Sequence, residues 1–196
     1  MTRLDVIRRT LSAHTPVLLG AREGETLAAV ALVFRGDPVD PELLFIERAE
    51  REGDPWSGQM AFPGGRVEKD DRSVRETAQR ETSEEVGLDL SGAEVLGRLD
   101  DQGGRRAGAR RSLRIAAFAF HCNEPGPLEI NHEVQTAMWV PYSNLLDPER
   151  RVDFEFGDYG GSFAGIRVGH PERHIVWGLT RRILRSLVEL MGERLP

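Results

Sequence analysis

The sequence predicts an α/β layered domain with a mixed β-sheet, on three observations. Short apolar runs of strand length alternate with stretches whose apolar residues recur at helical spacing. Gly, Pro and Asp collect between the runs, where a chain reverses direction. The 196 residues, 39% of them hydrophobic, suffice for one sizeable core, so residues 1–196 are expected to form one domain.

In chain order, Leu4, Ile7 and Leu11 predict an amphipathic helix within residues 1–14 that stops before Pro16 and packs on the core. Residues 28–34 and 43–48 are apolar runs separated by Gly36-Asp37-Pro38 and are expected as two strands, the second delivering Arg48 at its end. A loop rich in Gly, Pro and polar residues follows over 49–65, interrupted by an expected strand at 59–62 and closed by Phe62-Pro63-Gly64-Gly65. The next helix, 73–86, is well punctuated: Ser73 and Glu76 are placed for a capping box, and Gly87 for a left-handed C-terminal cap. Strands are expected at 94–99 and 113–120, flanking a polar, arginine-rich excursion over 100–111, and again at 137–140 before Pro141. Ile183, Leu184, Leu187, Val188 and Met191 mark a C-terminal amphipathic helix over 175–191.

Composition excludes several functions. No apolar run reaches the roughly eighteen residues needed to span a bilayer, and residues 1–10 are too charged for a secretory signal, so a soluble, cytoplasmic protein is expected without membrane attachment. Cys122 is the sole cysteine, which rules out an intrachain disulfide or a thiolate zinc cluster. A net charge of -6 argues against wholesale coating of nucleic acid. Lys69 is the only lysine and arginine is spread along the whole chain, a compositional bias rather than a binding signal.

The informative feature lies in the helix at 73–86. At about 100° per residue, Val74, Ala78, Glu81, Glu85 and Leu88 fall on one stripe with Glu84 beside it, so an apolar face turns acidic halfway along. Carboxylates three and four residues apart repel one another, and burying them unpaired is costly, unless a cation sits among them. Oxygen ligands of this kind select Mg2+, Mn2+ or Ca2+, and Mg2+ in particular binds through a few carboxylates plus substrate phosphates. Upstream, Gly64 and Gly65 allow a ligand or metal to approach the backbone closely, with the Gly65 carbonyl a further ligand candidate. The alternative is a solvated face with Arg80 pairing with Glu76 or Glu84, against which the stripe of Val74, Ala78 and Leu88 weighs.

The stretch GGRVEKDDRSVRETAQRETSEEVGL, residues 64–88, resembles the Nudix box of the Nudix hydrolases, most clearly in Arg80-Glu81, Glu84-Glu85 and Gly87-Leu88. The resemblance implies an α/β/α sandwich and Mg2+- or Mn2+-dependent hydrolysis of a nucleoside diphosphate linked to another moiety, a small-molecule partner. It also implies that Glu81, Glu84 and Glu85 hold metal, one of them a candidate base, while Arg80 orients the acidic cluster. Where the family usually has a glutamate, eight residues before its arginine, this chain has Arg72; Asp71 either stands in for that acid, as in the coenzyme A diphosphatase branch, or caps the helix. The likeness to that branch continues through LLFIER (43–48), GQMAFPGG (58–65), residues 131–141 and IVWGLT (175–180), but DPWSGQ (54–59) replaces its usual histidine-containing approach.

Other residues divide between roles. Arg48 and Arg66 are candidate phosphate contacts, and Glu133, in a loop before an apolar strand, is a second acid that could face the metal or assist water. Arg105, Arg106, Arg110, Arg111 and Arg114 read as a solvated hairpin before a phosphate-seeking flap. His132 and His174 read as structural or exposed, and Trp56 as a loop anchor before a stacking platform. The expected reaction is cleavage of coenzyme A or its acyl derivatives to phosphopantetheine and adenosine 3',5'-bisphosphate; ADP-ribose, dinucleotides and noncanonical nucleoside triphosphates are alternative substrates, and a catalytically silent ligand sensor is the alternative of a different class. Apolar residues beyond the core on the terminal helices offer a homodimer interface.

Overall fold

A computed structural model describes residues 1–20, 24–52, 56–105, 112–155 and 161–196. Helix α1 (Arg3–Ala13) opens the chain, capped by Thr2, and its Leu4, Ile7 and Leu11 are buried. The two strands expected next form as β1 (Thr26–Arg35) and β2 (Glu42–Arg48), followed by the short β3 (Met60–Ala61) and β4 (Gly64–Arg66). Helix α2 (Val74–Val86) then leads to β5 (Glu94–Arg98), β6 (Gln102–Arg105), β7 (Ser112–His121) and β8 (Val134–Pro141). Helix α3 (Tyr142–Leu146), strands β9 (Arg151–Glu155), β10 (Ser162–Arg167) and β11 (Ile175–Val176), and helix α4 (Gly178–Leu190) complete the order.

The main sheet runs β3-β2-β1-β7-β5, with β4 paired to β1, β6 to β7 and β8 to β2. It is mixed, because β1 and β7 run parallel in register from Thr26 opposite Leu113 to Phe34 opposite His121 while the other pairs are antiparallel. A second, antiparallel sheet has the order β11-β10-β9. Side-chain alternation along the central strands builds two apolar layers. Leu32 and Phe34 of β1, Leu43 and Phe45 of β2, and Ala117 and Ala119 of β7 point into one, where Ile7 and Leu11 of α1 and Leu184, Leu187 and Val188 of α4 cover them. Ala29, Ala31, Val33, Leu44, Ile46, Ala116 and Phe120 point into the other, closed by Ala78 and Val86 of α2. Helices therefore lie on both faces, an α/β/α arrangement.

Four local expectations require correction. The C-terminal helix starts at Gly178, not 175, because Ile175 and Val176 pair with Arg167 and Ile166 as β11. Residues 102–105 are a strand, not an excursion, since backbone pairing with Ser112 to Ile115 needs no apolar side chains in Gln102-Gly103-Gly104-Arg105; residues 106–111 of that segment, with Arg106, Arg110 and Arg111, lie outside the described residues. Ser73 caps α2 by accepting from the Glu76 N–H at 3.1 Å, but Glu76 reaches past the cap to the Arg72 N–H at 2.7 Å, so the box does not close on itself. Glu84 is exposed on the solvent side of the acidic stripe. Among the described residues no helix is long and apolar enough to cross a membrane.

Candidate active site

The site begins with two glycines on β4. Gly64 and Gly65 pair with Val30 and Ala29 of β1, directly beneath α2. Gly64 has φ of +153°, and a side chain there would overlap the Ala29 carbonyl and come within 2.6 Å of the Val30 Cα, so only glycine fits. At Gly65 a Cβ would overlap the Glu81 carboxylate itself. The pair thus lets the acidic turn of α2 lie flat on the sheet.

Glu85 is 2% exposed, and one of its oxygens accepts the Gly64 N–H at 2.8 Å. Burial pushes its carboxyl up to about 8, reinforced by the charges of Glu81 and Glu133 and opposed by the Gly64 N–H and Arg48. Glu81, its side chain 15% exposed, is raised for the same first reason, with Arg80 pulling the other way. In both, burial outweighs the nearby arginine.

Arg80 is held rigidly. Its Nε donates to Asp71 Oδ1 at 2.9 Å and its Nη2 to Asp71 Oδ2 at 3.2 Å, a bidentate pair. Asp71 Oδ2 also accepts the Thr77 hydroxyl and the Glu68 N–H, each at 2.8 Å. Above all Arg80 keeps the Asp71 carboxyl well below the ordinary range, and Asp71 in turn raises the guanidinium. Asp71 therefore does not cap α2, which Ser73 does; it fixes the arginine. From this anchor Arg80 Nη1 lies 3.1 Å from both Glu81 Oε1 and Glu84 Oε2, and Nη2 donates to the Arg66 carbonyl at 3.2 Å. The Arg80–Glu84 pair of the solvated-face alternative forms, while Glu85 on the same turn is buried.

A cavity of about 490 Å³ opens over this turn, lined by Glu68, Arg80, Glu81, Glu84, Glu85, Asn131, His132 and Glu133. Glu133 arrives from the segment before β8, its N–H on Asn131 Oδ1 at 2.8 Å and its carbonyl accepting the Ala49 N–H at 2.8 Å. Arg48 is half-buried at the end of β2, beside a register shift, and its charge favours ionised Glu85. Arg66 is exposed and meets the site through its carbonyl rather than its side chain. His132 is exposed, whereas His174 is buried: its Nδ1 accepts the His170 N–H at 2.9 Å, leaving Nε2 to donate to Glu47 at 3.3 Å, on the opposite face of β2 from Arg48. Arg114 pairs with Glu25 at 3.2 Å and donates to the Leu19 carbonyl, away from the cavity. Glu68 and Asn131 were not singled out by residue chemistry; Asn131 opens the family-like segment, and Glu68 carries no sequence signal.

Among the described residues, no three Asp, Glu, His or Cys side chains converge as ligands to one point. The Arg80 guanidinium lies between Glu81 and Glu84, where it serves as their counter-ion. The donors nevertheless suit a hard divalent cation: they are carboxylate oxygens, Glu85 is buried and Glu81 partly so, burial raises both carboxyls, and they border an open cavity.

Residues 24–158 match the family described as NUDIX domain. A Nudix hydrolase of Pectobacterium atrosepticum, uncharacterised and called NudL, is 30% identical over 155 residues, 77% of this chain and 76% of that one. An uncharacterised protein of Schizosaccharomyces pombe is 40% identical over 113 residues, 56% of this chain and 34% of its own length. The chain spans between a third and three fifths of the length of the fission-yeast and Arabidopsis relatives it matches. In fold it is similar to the crystal structure of a MutT/nudix family protein from Enterococcus faecalis, with a TM-score of 0.55 at 17% identity over 89% of this chain and 70% of the other.

Proposed function

The chain belongs to the NUDIX domain family, and on that premise we propose that it is a divalent-metal-dependent hydrolase of the diphosphate linkage in coenzyme A or acyl-coenzyme A. Water attacks one phosphorus, the bridging P–O bond breaks, and phosphopantetheine, still acylated when the substrate is, and adenosine 3',5'-bisphosphate leave. One observation carries the reaction class: Glu81 and Glu85 are sunk against the Gly64-Gly65 turn, with Glu133 sharing their cavity. Coenzyme A as substrate is supported by the branch-like patches, because 43–48 is β2, 58–65 runs through β3 into β4, and 131–141 brings Asn131 and Glu133 to the cavity.

Glu81, Glu84 and Glu85, with the Gly65 carbonyl, would hold Mg2+ or Mn2+, which when bound neutralises diphosphate charge and acidifies a water. The chain's own groups do the rest. Asp71 fixes Arg80, which pairs with both Glu81 and Glu84. Gly64 orients Glu85 by its N–H. Arg48 and, from outside the cavity, the exposed Arg66 side chain are the proposed cations for the diphosphate, and Glu133 takes the proton of the attacking water.

A substrate panel of coenzyme A, ADP-ribose, NADH, diadenosine polyphosphates and nucleoside triphosphates, with Mg2+ or Mn2+ and products identified by mass, tests this. Coenzyme A is expected to give the two named products. Strong activity on another member with none on coenzyme A would overturn the substrate, and inactivity on all would favour the silent sensor.

A further inference from the structure

Five carboxylates border the cavity, and Arg80 and Arg51 form ion pairs with three of them. Arg80 is immobilised by Asp71 and serves Glu81 and Glu84. Arg51 stands on the other side, with Nη2 donating to Glu133 Oε1 at 3.0 Å. Its main chain is clasped in both directions by one hydroxyl: the Arg51 N–H donates to Ser57 Oγ at 2.8 Å, and Ser57 Oγ donates to the Arg51 carbonyl at 2.9 Å. The turn behind Ser57 is stitched to β2, through Gly58 N–H on the Arg48 carbonyl at 3.0 Å and Arg48 N–H on the Gln59 carbonyl at 3.1 Å. The backbone of Glu133 is fixed independently by Asn131 and Ala49. What the backbone leaves undetermined is where the Glu133 carboxylate points, and Arg51 at 3.0 Å and the exposed His132 at 3.8 Å are basic side chains beside it.

We infer that Arg51 is a positioning residue: its ion pair with Glu133 sets that carboxylate at the cavity wall and joins residues 49–52, after β2, to the reacting centre. The inference rests on the hydrolase reading above, in which Glu133 takes the proton of the attacking water. The pair is open to water, with side chains 44% and 37% exposed, so it contributes little to stability. Its effect should therefore appear in turnover. The contact uses one guanidinium nitrogen and not the bidentate fork, so a lysine can replace much of it.

The experiment is a double-mutant cycle of Arg51→Ala and Glu133→Gln on the full chain, with Arg51→Lys as rescue, Glu85→Gln as control and a crystal structure of Arg51→Ala. Expected for Arg51→Ala is a kcat about tenfold lower with KM within about twofold of the parent, an unchanged melting temperature and a displaced Glu133 carboxylate. Arg51→Lys should recover most of the rate, and the double variant should be no slower than Glu133→Gln alone. A kcat for Arg51→Ala within about twofold of the parent, a defect confined to KM, additive losses, or a Glu133 carboxylate unmoved in the crystal would each overturn the inference. If the parent protein cleaves nothing, the hydrolase reading fails instead, and the crystal structure still decides whether Arg51 sets Glu133; a fully active Glu85→Gln would remove Glu85, not Arg51, from the mechanism.

Discussion

Gly64 and Gly65 are neighbours with different reasons to be glycine, and the difference is measurable. A methyl group at Gly64 meets backbone, the Ala29 carbonyl and Val30 Cα, at a φ that other residues rarely adopt. Gly64→Ala should therefore lower stability by about 2 kcal/mol or more, read by denaturant unfolding. A methyl group at Gly65 meets first the end of a flexible side chain, Glu81. Gly65→Ala should fold with near-parental stability, yet displace Glu81 and weaken Mn2+ binding about tenfold or more, read by calorimetry. Glu85→Gln should lower turnover by at least about a hundredfold, as for a lost base or metal ligand; unchanged turnover would remove Glu85 from the mechanism. The acidic stripe was legible from spacing alone, since Glu81 and Glu85 share the face of Ala78. Spacing could not place Glu84, which sits at the edge of that face and is exposed, nor reveal that Asp71 holds Arg80, because that pair depends on the loop at 67–73 folding back over α2.

Helix α2 carries the site, and its ends were written in the sequence. Ser73 caps the start and Gly87 takes the left-handed position at the end with φ of +69°. Ser73→Ala should cost about 1 kcal/mol in urea unfolding, since it leaves the Glu76 N–H without its acceptor. Strands β1, β2, β5, β7 and β8 were visible because their apolar side chains alternate or run continuously into the two core layers. Strands β9 and β10 were missed although Val152 and Phe154 alternate with charged residues, a strand pattern; β4 and β6 offered none, because Gly64-Gly65-Arg66 and Gln102-Gly103-Gly104-Arg105 are held by backbone pairing. Such pairing leaves no hydrophobic signature for periodicity to detect.

At the scale of the molecule, the two apolar layers depend on different parts of the chain. The layer under α2 is drawn from residues 29–134, within the stretch that matches the family. The opposite layer needs Ile166, Val168, Val176, Ile183, Leu184, Leu187 and Val188, all beyond residue 158. A chain ending at 158 should consequently lose cooperative thermal unfolding, despite retaining every acidic residue of the site.

All of these scales meet in one proposition, that the buried acids of α2 take up a divalent cation. Calorimetric titration of Mn2+ into the substrate-free protein tests it most directly, with Glu81→Gln and Glu85→Gln beside the parent. Saturable binding by the parent, weakened about tenfold or more in each variant, is the expected result. No binding by the parent, or equal binding by all three proteins, would contradict it.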